Sequence, residues 1–417
     1  MSIYLFGAFA LLIAVAVPLA VAMGLAAMAS IYFGNGLSLE IAAQRMISGM
    51  SSFTLIAIPL FVWAGSLMNR GGITQRLIDF AYSLIGSIRG GLAAVNVLTN
   101  AIFGGISGSA VADAGAIGRL LIPQMVKRGY TASYSAVVTA TAATIALLIP
   151  PSIDLILYGV TARASIGMLF QWGLVAGIIL SIMLIITAYI TARRRGYPSE
   201  PRASGREVWR SFVGALPALM VPLVVIGGIR FGVFTPTEGS AVAVLASLII
   251  GGLIYRDLTW SELVKSVTES VILMTTIMTV LAVAQIYSWA TVTGGVTRQV
   301  EEFFAGFTNS RFVVLLIIVI FLLLIGTVLE GSAAILIFTP MLLPVVTAVG
   351  IDPLHFGLIM VAGMAFGLVT PPVGLTLLIT TKIANIPLMS SIRDLVPWFG
   401  TCVLFLAGLT FLPLFFY

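Results

Sequence analysis

Four interruptions in otherwise apolar stretches carry the residues best suited to chemistry. They are, in chain order, the glycine- and serine-containing segment 104–109, the pair Pro150-Pro151, the segment 330–332 and the pair Pro371-Pro372. Proline removes an amide donor and breaks the helical ladder. Polar or irregular backbone inside a membrane is tolerated only where protein buries it or a cavity hydrates it. We therefore expect these four segments to meet at a buried site.

Oxygen atoms dominate the chemistry that these segments offer. A broken helix exposes carbonyl oxygens that can coordinate a cation and amide groups that can hold an anion. Hydroxyl groups lie close by at Ser107, Ser109, Ser332 and Thr370. Oxygen ligands without histidine or cysteine suit a hard cation such as sodium, not a transition metal. Helix packing is the alternative, because the first segment also spells GxxxG, but the recurrence of the pattern favours ion binding.

Three acidic residues lie within apolar stretches, where a carboxylate needs a partner or water. Asp113 either organises the first glycine-serine segment and contributes to a cation site, or pairs with Arg119. Glu330 either caps a helix start or neutralises a bound cation. Asp154 follows the first Pro-Pro pair and has its own alternatives, given below.

Three other residues have simpler interpretations. Glu238 follows Thr235 at a predicted helix start and is expected to cap that helix. His355 is the one histidine and is expected to be solvated in an outside loop. Cys402, the one cysteine, lies in an apolar run, so it is assigned to packing and the chain has no intrachain disulfide.

Composition shows what kind of protein positions these residues. Of 417 residues 60% are apolar and 9% are charged, whereas soluble domains carry about 25% charged residues. At about 20 residues per spanning helix, the apolar material allows about a dozen membrane segments. A soluble enzyme is excluded, and so is a membrane β-barrel, because Phe312 to Ile325 is continuously apolar instead of alternating. The net charge of +6 is assigned to loop arginines that set topology, not to nucleic acid.

The apolar runs predict an all-α polytopic membrane protein with unusual segments. The N-terminal run, about 3–33, is predicted to be one retained spanning helix and not a signal peptide. Two long interrupted runs, about 92–125 and 312–346, are predicted to be re-entrant hairpins. The segments with Pro-Pro pairs, about 132–163 and 355–385, are predicted to be broken helices that cross. About nine true crossings remain.

The interruptions recur in the same order, which indicates an internal duplication. Gly108-Ser109-Ala110 matches Gly331-Ser332-Ala333 at an offset of 223, and Pro150-Pro151 matches Pro371-Pro372 at an offset of 221. An odd number of crossings separates the copies, so they are predicted to be inverted. The predicted division is 1–192 for the first repeat, 193–236 for a cytoplasmic basic loop with a linking helix, and 237–417 for the second repeat.

The distribution of basic residues predicts the orientation in the membrane. If the N-terminus is cytoplasmic and the C-terminus periplasmic, all but five of the 21 lysines and arginines lie on the cytoplasmic side. This distribution agrees with the positive-inside rule. The exceptions are Arg45, Arg163, Arg230, Arg298 and Arg311. Two amphipathic stretches, Ile73 to Ile85 and Val296 to Phe307, are predicted to be helices in the membrane interface, as braces for a moving unit or as simple elbows.

Inverted repeats with hairpins and broken helices are typical of secondary transporters. The runs from Phe103 to Asp113, from Ile149 to Ile153 and from Thr370 to Gly374 resemble the large membrane subunit of tripartite ATP-independent periplasmic (TRAP) transporters. The resemblance covers nearly the whole chain. It implies an elevator-type fold of the ion-transporter superfamily and sodium-coupled symport of an organic acid across the bacterial inner membrane. It also implies two partners, a small four-helix membrane subunit and a periplasmic substrate-binding protein.

The resemblance also implies where the ligands bind. Sodium ions are the coupling ions, and no other cofactor or metal is implied. The first sodium site would comprise Ser107, Gly108, Ser109, Ile149, Pro150 and Ser152. The second would comprise Gly331, Ser332, Thr370, Pro371 and Gly374. The substrate carboxylate would lie between them, in a cavity assigned to Ser109, Asp113, Asp154, Glu330 and Val373.

Asp154 departs from the family pattern, which continues with apolar or proline residues at this position. One hypothesis is that its carboxylate faces the cavity and recognises a cationic or hydroxyl group of the substrate or assists cation binding. The alternatives are a partner on a neighbouring helix or a hydrated position near the aqueous mouth.

Other functions remain to be weighed. A carboxylate carrier, coupled to sodium or protons, could act without a binding protein. Gly105-Ile106-Ser107-Gly108 matches the GxSG of intramembrane serine proteases, but that chemistry needs a base near the serine, and His355 is predicted to be outside. An ATP-driven permease would need a separate ATPase, since the chain has no Walker motif. Counterflow would distinguish a carrier from a passive channel.

Overall fold

The computed structural model describes residues 2–415 apart from 16, 36, 37, 39, 200, 201 and 309. Within those residues the secondary structure is helical, with no strand, as the composition predicts. The helices of the first half are α1 Ser2–Ala14, α2 Leu19–Asn35, α3 Glu40–Met50, α4 Ala57–Arg70, α5 Ile73–Ile85, α6 Gly91–Ser107, α7 Ala110–Lys127, α8 Ala132–Ala143, α9 Ile153–Ala162 and α10 Ile166–Arg195. Those of the second half are α11 Gly205–Arg230, α12 Pro236–Ile249, α13 Trp260–Thr293, α14 Val296–Phe307, α15 Arg311–Gly326, α16 Gly331–Ala348, α17 Pro353–Gly367, α18 Leu375–Ile383 and α19 Ile392–Phe411.

The glycine-serine segments and the Pro-Pro pairs end helices where the sequence indicates. We call α6 with α7 hairpin 1 and α15 with α16 hairpin 2; the two arms of each pack against each other. We call residues 148–152, between α8 with its terminal 3-10 turn and α9, break 1. Residues 368–374, between α17 and α18, are break 2. Each half thus has a hairpin followed by a broken helix, while the inverted relation of the halves remains a prediction.

Seven helical stretches among the described residues are long and apolar enough to cross a membrane. They are Phe53–Arg70, Ile166–Arg195, Gly205–Arg230, Pro236–Ile254, Trp260–Thr293, Gly331–Ala348 and Leu388–Leu414. Shorter apolar helices include both halves of the first broken helix, because a break divides one crossing into two pieces. The chain is therefore a polytopic membrane protein, and the expected number of nine crossings remains a prediction.

Two parts of the first 50 residues differ from the sequence prediction. The N-terminal run is not one spanning helix but two helices, α1 and α2, which pack against each other. Pro18 explains the division, because it has no amide hydrogen and disfavours helical backbone at the residue before it. α3 was missed because it is too polar to register as an apolar run, although it packs against α13.

The helices form two groups that meet along the hairpins. In the first group α4 packs against α12 and α13, and α2 and α3 also pack against α13. In the second group the two halves interlock: α9 packs against α16, and α18 packs against α7 and α8. The groups meet where α4 contacts α6 and where α13 contacts α16. The first group is thus positioned beside both hairpins.

The two amphipathic helices and the basic linker lie where the sequence places them. The bounds of α5 and α14 coincide with the predicted stretches, and each helix follows a glycine with positive φ, Gly72 at 71° and Gly295 at 72°. The basic residues near 193–210 lie mainly in helix ends, because α10 continues to Arg195 and α11 begins at Gly205. Location of these elements in the membrane interface stays a prediction.

Three single-residue predictions can be compared with the structure. Glu238 caps α12 as expected: its Oε2 accepts from the Thr235 amide at 2.8 Å, and its own amide donates to Thr235 Oγ1 at 3.2 Å. Cys402 is fully buried, in agreement with a packing role. The prediction for His355 was wrong: the residue is 8% exposed and its Nε2 lies 2.8 Å from the Leu409 carbonyl oxygen. Packing of α17 against α19 buries it.

Candidate functional site

The turn at the tip of hairpin 1 is built on Gly108 and Ser109. Gly108 ends α6 with φ of +60°, a conformation that favours glycine. Ser109 begins α7, and its Oγ accepts from the Ala112 amide at 3.4 Å. This cap satisfies one of the free amides at the start of α7. The free amide groups at the N-terminus of α7 consequently lie at the tip, where they favour a negatively charged ligand.

Glycines let the tip of hairpin 1 lie directly against break 1. A Cβ at position 104 would be 2.6 Å from Ala146 Cα, and one at position 105 would be 3.3 Å from the Pro150 carbonyl oxygen. A Cβ at position 108 would be 2.6 Å from the Pro151 carbonyl oxygen. Five of the residues predicted for the first sodium site, Ser107 to Ser109, Ile149 and Pro150, therefore lie at one contact. The carbonyl oxygens of Pro150 and Pro151 face the tip at this contact, and carbonyl oxygens are ligands that hard cations accept.

Ser152, the sixth predicted residue of that site, holds break 1 in shape. Its Oγ donates to the Leu147 carbonyl oxygen at 2.6 Å and accepts from the Leu155 amide at 3.3 Å. The hydroxyl thus bridges the break and caps α9. Its side chain is fully buried, so the role that the structure shows is to position the break.

Asp113 is fully buried in the first turn of α7 and accepts a hydrogen bond from Ser107 Oγ. Its Oδ2 has no hydrogen-bond partner among the described residues. The alternative pairing with Arg119 was wrong, because six residues along a helix place two side chains about 120° apart around its axis. Asp113 therefore organises the tip through Ser107.

Hairpin 2 approaches α17 and break 2 through Gly326 and Thr327, two residues that the sequence analysis did not assign to the second sodium site. A Cβ at Gly367 would lie 2.4 Å from Gly326 Cα, so α15 and α17 touch backbone to backbone. The Gly374 amide donates to the Thr327 carbonyl oxygen at 3.4 Å, and Thr370 Oγ1 donates to Phe366 O at 2.7 Å. Break 2 is thus joined to residues 326–327 of hairpin 2.

The tip residues Gly331 and Ser332 contact Asp154 of the opposite half. Ser332 Oγ donates to Asp154 Oδ1 at 2.8 Å, and a Cβ at Gly331 would lie 2.4 Å from Asp154 Oδ2. The structure thus joins the first turn of α9, directly after break 1, to the tip of hairpin 2. Of the alternatives for Asp154, a partner on a neighbouring helix is observed. The carboxylate is only 3% exposed, so a hydrated position near the mouth was wrong.

Two cavities lie along these contacts. The inter-hairpin cavity, about 40 Å³, lies between the two tips and is lined by Ser109, Asp154, Glu330 and Ser332, among others. The hairpin 1 cavity, about 180 Å³, lies between hairpin 1 and helices α4 and α13. Both are lined by Ser109, Ile153 and Leu273, so they adjoin. Ser109, Asp154 and Glu330 therefore line a cavity, while their role in substrate binding stays a prediction.

Three predictions about the cavity residues need correction. Val373 and Asp113 line neither cavity; Asp113 is fully buried inside hairpin 1. Glu330 occupies the N-cap position of α16 but makes no side-chain capping bond. Its side chain is exposed to the cavity instead.

Sequence reasoning missed the contributions of α4, α13 and the hairpin arms. Ser66, Asn69, Glu269 and Ser270 line the hairpin 1 cavity but belong to α4 and α13, which the sequence analysis did not single out. The contact between Gly326 and Gly367 was also missed. The structure shows that it corresponds to the approach of Gly104 to Ala146 in the first half.

No histidine lies beside the GxSG segment. His355 lines neither cavity; it lies instead beside an apolar cavity with Trp172 and Leu409. The hydroxyl of Ser107 donates to the Asp113 carboxylate, which is fully buried. The arrangement therefore lacks the histidine base that the serine protease interpretation would use.

Comparison with known proteins decides the family. The model of the tripartite ATP-independent periplasmic transporter, DctM component, matches residues 6–415. The chain belongs to this family. The large permease protein SiaM of the sialic acid TRAP transporter of Vibrio cholerae is 36% identical over 99% of this chain and 96% of its own length. The C4-dicarboxylate TRAP transporter large permease protein DctM of Pseudomonas aeruginosa is 38% identical over 94% of this chain and 92% of its own length.

A more distant likeness concerns the fold alone. The crystal structure of the YdaH transporter of Alcanivorax borkumensis superimposes on this TRAP permease with a TM-score of 0.67. The alignment covers 91% of this chain and 89% of the other at 13% sequence identity. Membership of a transporter family agrees with the hairpins and broken helices, and the serine protease alternative finds no support in these relatives.

Proposed function

We propose that this TRAP permease imports an organic acid across the bacterial inner membrane by sodium-coupled symport. The observation that carries the proposal is the contact of hairpin 1 with break 1, where Gly105 and Gly108 lie against the carbonyl oxygens of Pro150 and Pro151. Backbone carbonyls and hydroxyls are the ligands of a hard monovalent cation in transporters of broken-helix type. The second sodium ion is assigned to hairpin 2 and break 2.

The amide ends of helices supply the complementary half of the site. The start of α7 faces the inter-hairpin cavity through Ser109, Ala110 and Val111. A helix N-terminus favours an anionic group, so the substrate carboxylate is assigned to this end. The names of two relatives, which refer to sialic acid and to C4-dicarboxylates, support a carboxylate as the substrate class.

The proposed transport movement is an elevator displacement of one helix group against the other. The moving group would comprise the hairpins and broken helices, which interlock across the two halves, and the fixed group α2, α4, α12 and α13. Gly65 of α4 supports this division, because a Cβ there would lie only 3.3 Å from Ser107 Cα. α5 and α14 would brace the moving group in the two interfaces.

The proposed complex contains a small four-helix membrane subunit and a periplasmic substrate-binding protein. The family description, a tripartite periplasmic transporter, supports both partners. The proposed orientation places the N-terminus in the cytoplasm and the C-terminus in the periplasm, on the distribution of arginines.

Uptake into proteoliposomes tests this function. We expect the permease with its small subunit and binding protein to accumulate a carboxylate when sodium is high outside, without ATP. Replacing the sodium gradient by a potassium gradient should reduce accumulation at least tenfold, because potassium does not supply the coupling ion.

Three controls separate the alternatives. Equal uptake by the permease alone would favour a carrier that needs no binding protein. Equal uptake in sodium and potassium, at the same membrane potential and pH, would contradict sodium coupling. Counterflow, the uptake of labelled substrate into vesicles preloaded with unlabelled substrate and without a sodium gradient, is expected for a carrier, and its absence would favour a channel.

A further inference from the structure

The inter-hairpin cavity presents two carboxylates to its ligand. Asp154 is 3% exposed, and its Oδ1 is bound by Ser332 Oγ at 2.8 Å, while Oδ2 packs against Gly331. Glu330 is exposed to the same cavity and makes no capping bond. A cavity with two acidic side chains is an unusual place for a substrate with only carboxylate groups to bind.

No basic residue offsets this charge. Among the described residues that line either cavity there is no lysine or arginine. Glu269, the third acid on the cavity walls, forms an ion pair with Arg70. Asp154 and Glu330 have no ion pair with any described cationic side chain. The hairpin 2 side of the cavity consequently holds two acids without a basic partner among the described residues.

The opposite side of the cavity has the opposite character. There Ser109, Ala110 and Val111 form the start of α7, whose amide groups carry partial positive charge. The adjoining hairpin 1 cavity adds an independent sign of a polar ligand: Ser270 is 5% exposed, lines that cavity and has no hydrogen-bond partner for its Oγ. A buried hydroxyl without a partner is costly unless a ligand or water satisfies it.

We propose that the transported acid is a zwitterion, with a cationic ammonium-type group held between Asp154 and Glu330 and its carboxylate at the start of α7. The inter-hairpin cavity of about 40 Å³ exceeds the roughly 10–15 Å³ that one water-sized group needs. The hairpin 1 cavity, about 180 Å³, has room for the remainder of a small molecule. This assignment rests on the proposed import of an organic acid and names its chemical class.

Matched substrates test the assignment with the complete three-component complex. The pairs are glycine betaine with 3,3-dimethylbutanoate, β-alanine with butanoate, and aspartate with succinate. In each pair the second compound lacks the cationic group. We expect sodium-driven uptake of at least one of the three compounds that carry an ammonium group. Uptake of its matched compound without that group should be at least tenfold lower. Preferential uptake of the compounds without a cationic group would overturn the assignment while leaving sodium-driven import intact.

Variants of the two acids show whether the discrimination lies in the permease. For the zwitterion that is taken up, Asp154→Asn and Glu330→Gln should each raise KM at least tenfold while leaving the half-saturating sodium concentration unchanged. Asp79→Asn, an exposed carboxylate on α5, is the matched control and should leave both values unchanged. Purified variants with the elution profile of the wild type exclude misfolding, and Glu330→Gln, in an exposed side chain, keeps the test decisive if Asp154→Asn fails to fold.

The remaining outcomes show whether the two acids bind a cationic group of the substrate or an inorganic cation. If the variants shift the half-saturating sodium concentration and leave the substrate KM unchanged, the acids bind an inorganic cation and the zwitterion assignment is overturned. Wild-type KM and sodium dependence in both variants would also overturn it. Failure to take up any of the three zwitterions, while another carboxylate enters with sodium, would overturn the zwitterion assignment. Uptake that does not depend on sodium would contradict the proposed function itself.

Discussion

Gly108→Ala is expected to lower sodium-driven uptake at least tenfold without preventing membrane insertion. The position has φ of +60°, and a Cβ would lie 2.6 Å from the Pro151 carbonyl oxygen. A side chain in left-handed backbone costs about 1–2 kcal/mol, and the opposing atom belongs to backbone that cannot rotate away. A loss of 1.4 kcal/mol corresponds to about tenfold in an equilibrium. Because the tip and break 1 would separate, the half-saturating sodium concentration should rise.

A control within the same hairpin isolates this effect. Gly115→Ala lies in α7, where a Cβ would meet no atom within 4 Å. It should retain wild-type uptake and sodium dependence. If Gly108→Ala showed the same values as Gly115→Ala, the tight contact of hairpin 1 with break 1 would not be needed for sodium binding.

Gly367→Ala is expected to destabilise the contact of hairpin 2 with α17. The new Cβ would lie 2.4 Å from Gly326 Cα and C, so two backbones must separate. Inserting a methyl group into a packed interior costs about 1–3 kcal/mol. The midpoint of thermal unfolding in detergent should fall, and uptake should fall with it, since Gly374 of break 2 is joined to Thr327 of the same hairpin.

Gly400→Ala is the control, because it lies on α19 with no atom within 4 Å of its Cβ. Alanine is more favourable than glycine in a helix by about 1 kcal/mol, so this variant should unfold at the same or a higher temperature. An equal midpoint for Gly367→Ala and Gly400→Ala would show that α15 and α17 do not require backbone contact.

The parts of the fold that strong local rules determine could be predicted from the sequence. Glycine next to serine ends α6, and Pro-Pro pairs end the ladders of α8 and α17, so the breaks were located from residue type alone. Glu238 and Thr235 form a capping box at the predicted place. The bounds of α5 and α14 followed from their amphipathic pattern and their preceding glycines.

Features that depend on tertiary contacts could not be predicted in the same way. Nothing near Asp154 in the sequence indicates Ser332, which is 178 residues away. Burial of His355 depends on α19, and the lining of the hairpin 1 cavity by Ser270 depends on how α13 packs. The sequence of α3 is polar enough to be mistaken for a loop, and packing against α13 stabilises this helix. In each case the partner, not the local pattern, decides the outcome.

Simultaneous measurement of sodium and substrate entry tests the central claim most directly. Proteoliposomes containing the complete complex would receive radioactive sodium and a labelled acid that the complex transports. Sodium coupling at the hairpin and break contacts predicts that adding the acid causes sodium to enter in a fixed ratio to it, and that Gly108→Ala reduces both fluxes together. Full uptake of the acid with no accompanying entry of sodium would contradict the account.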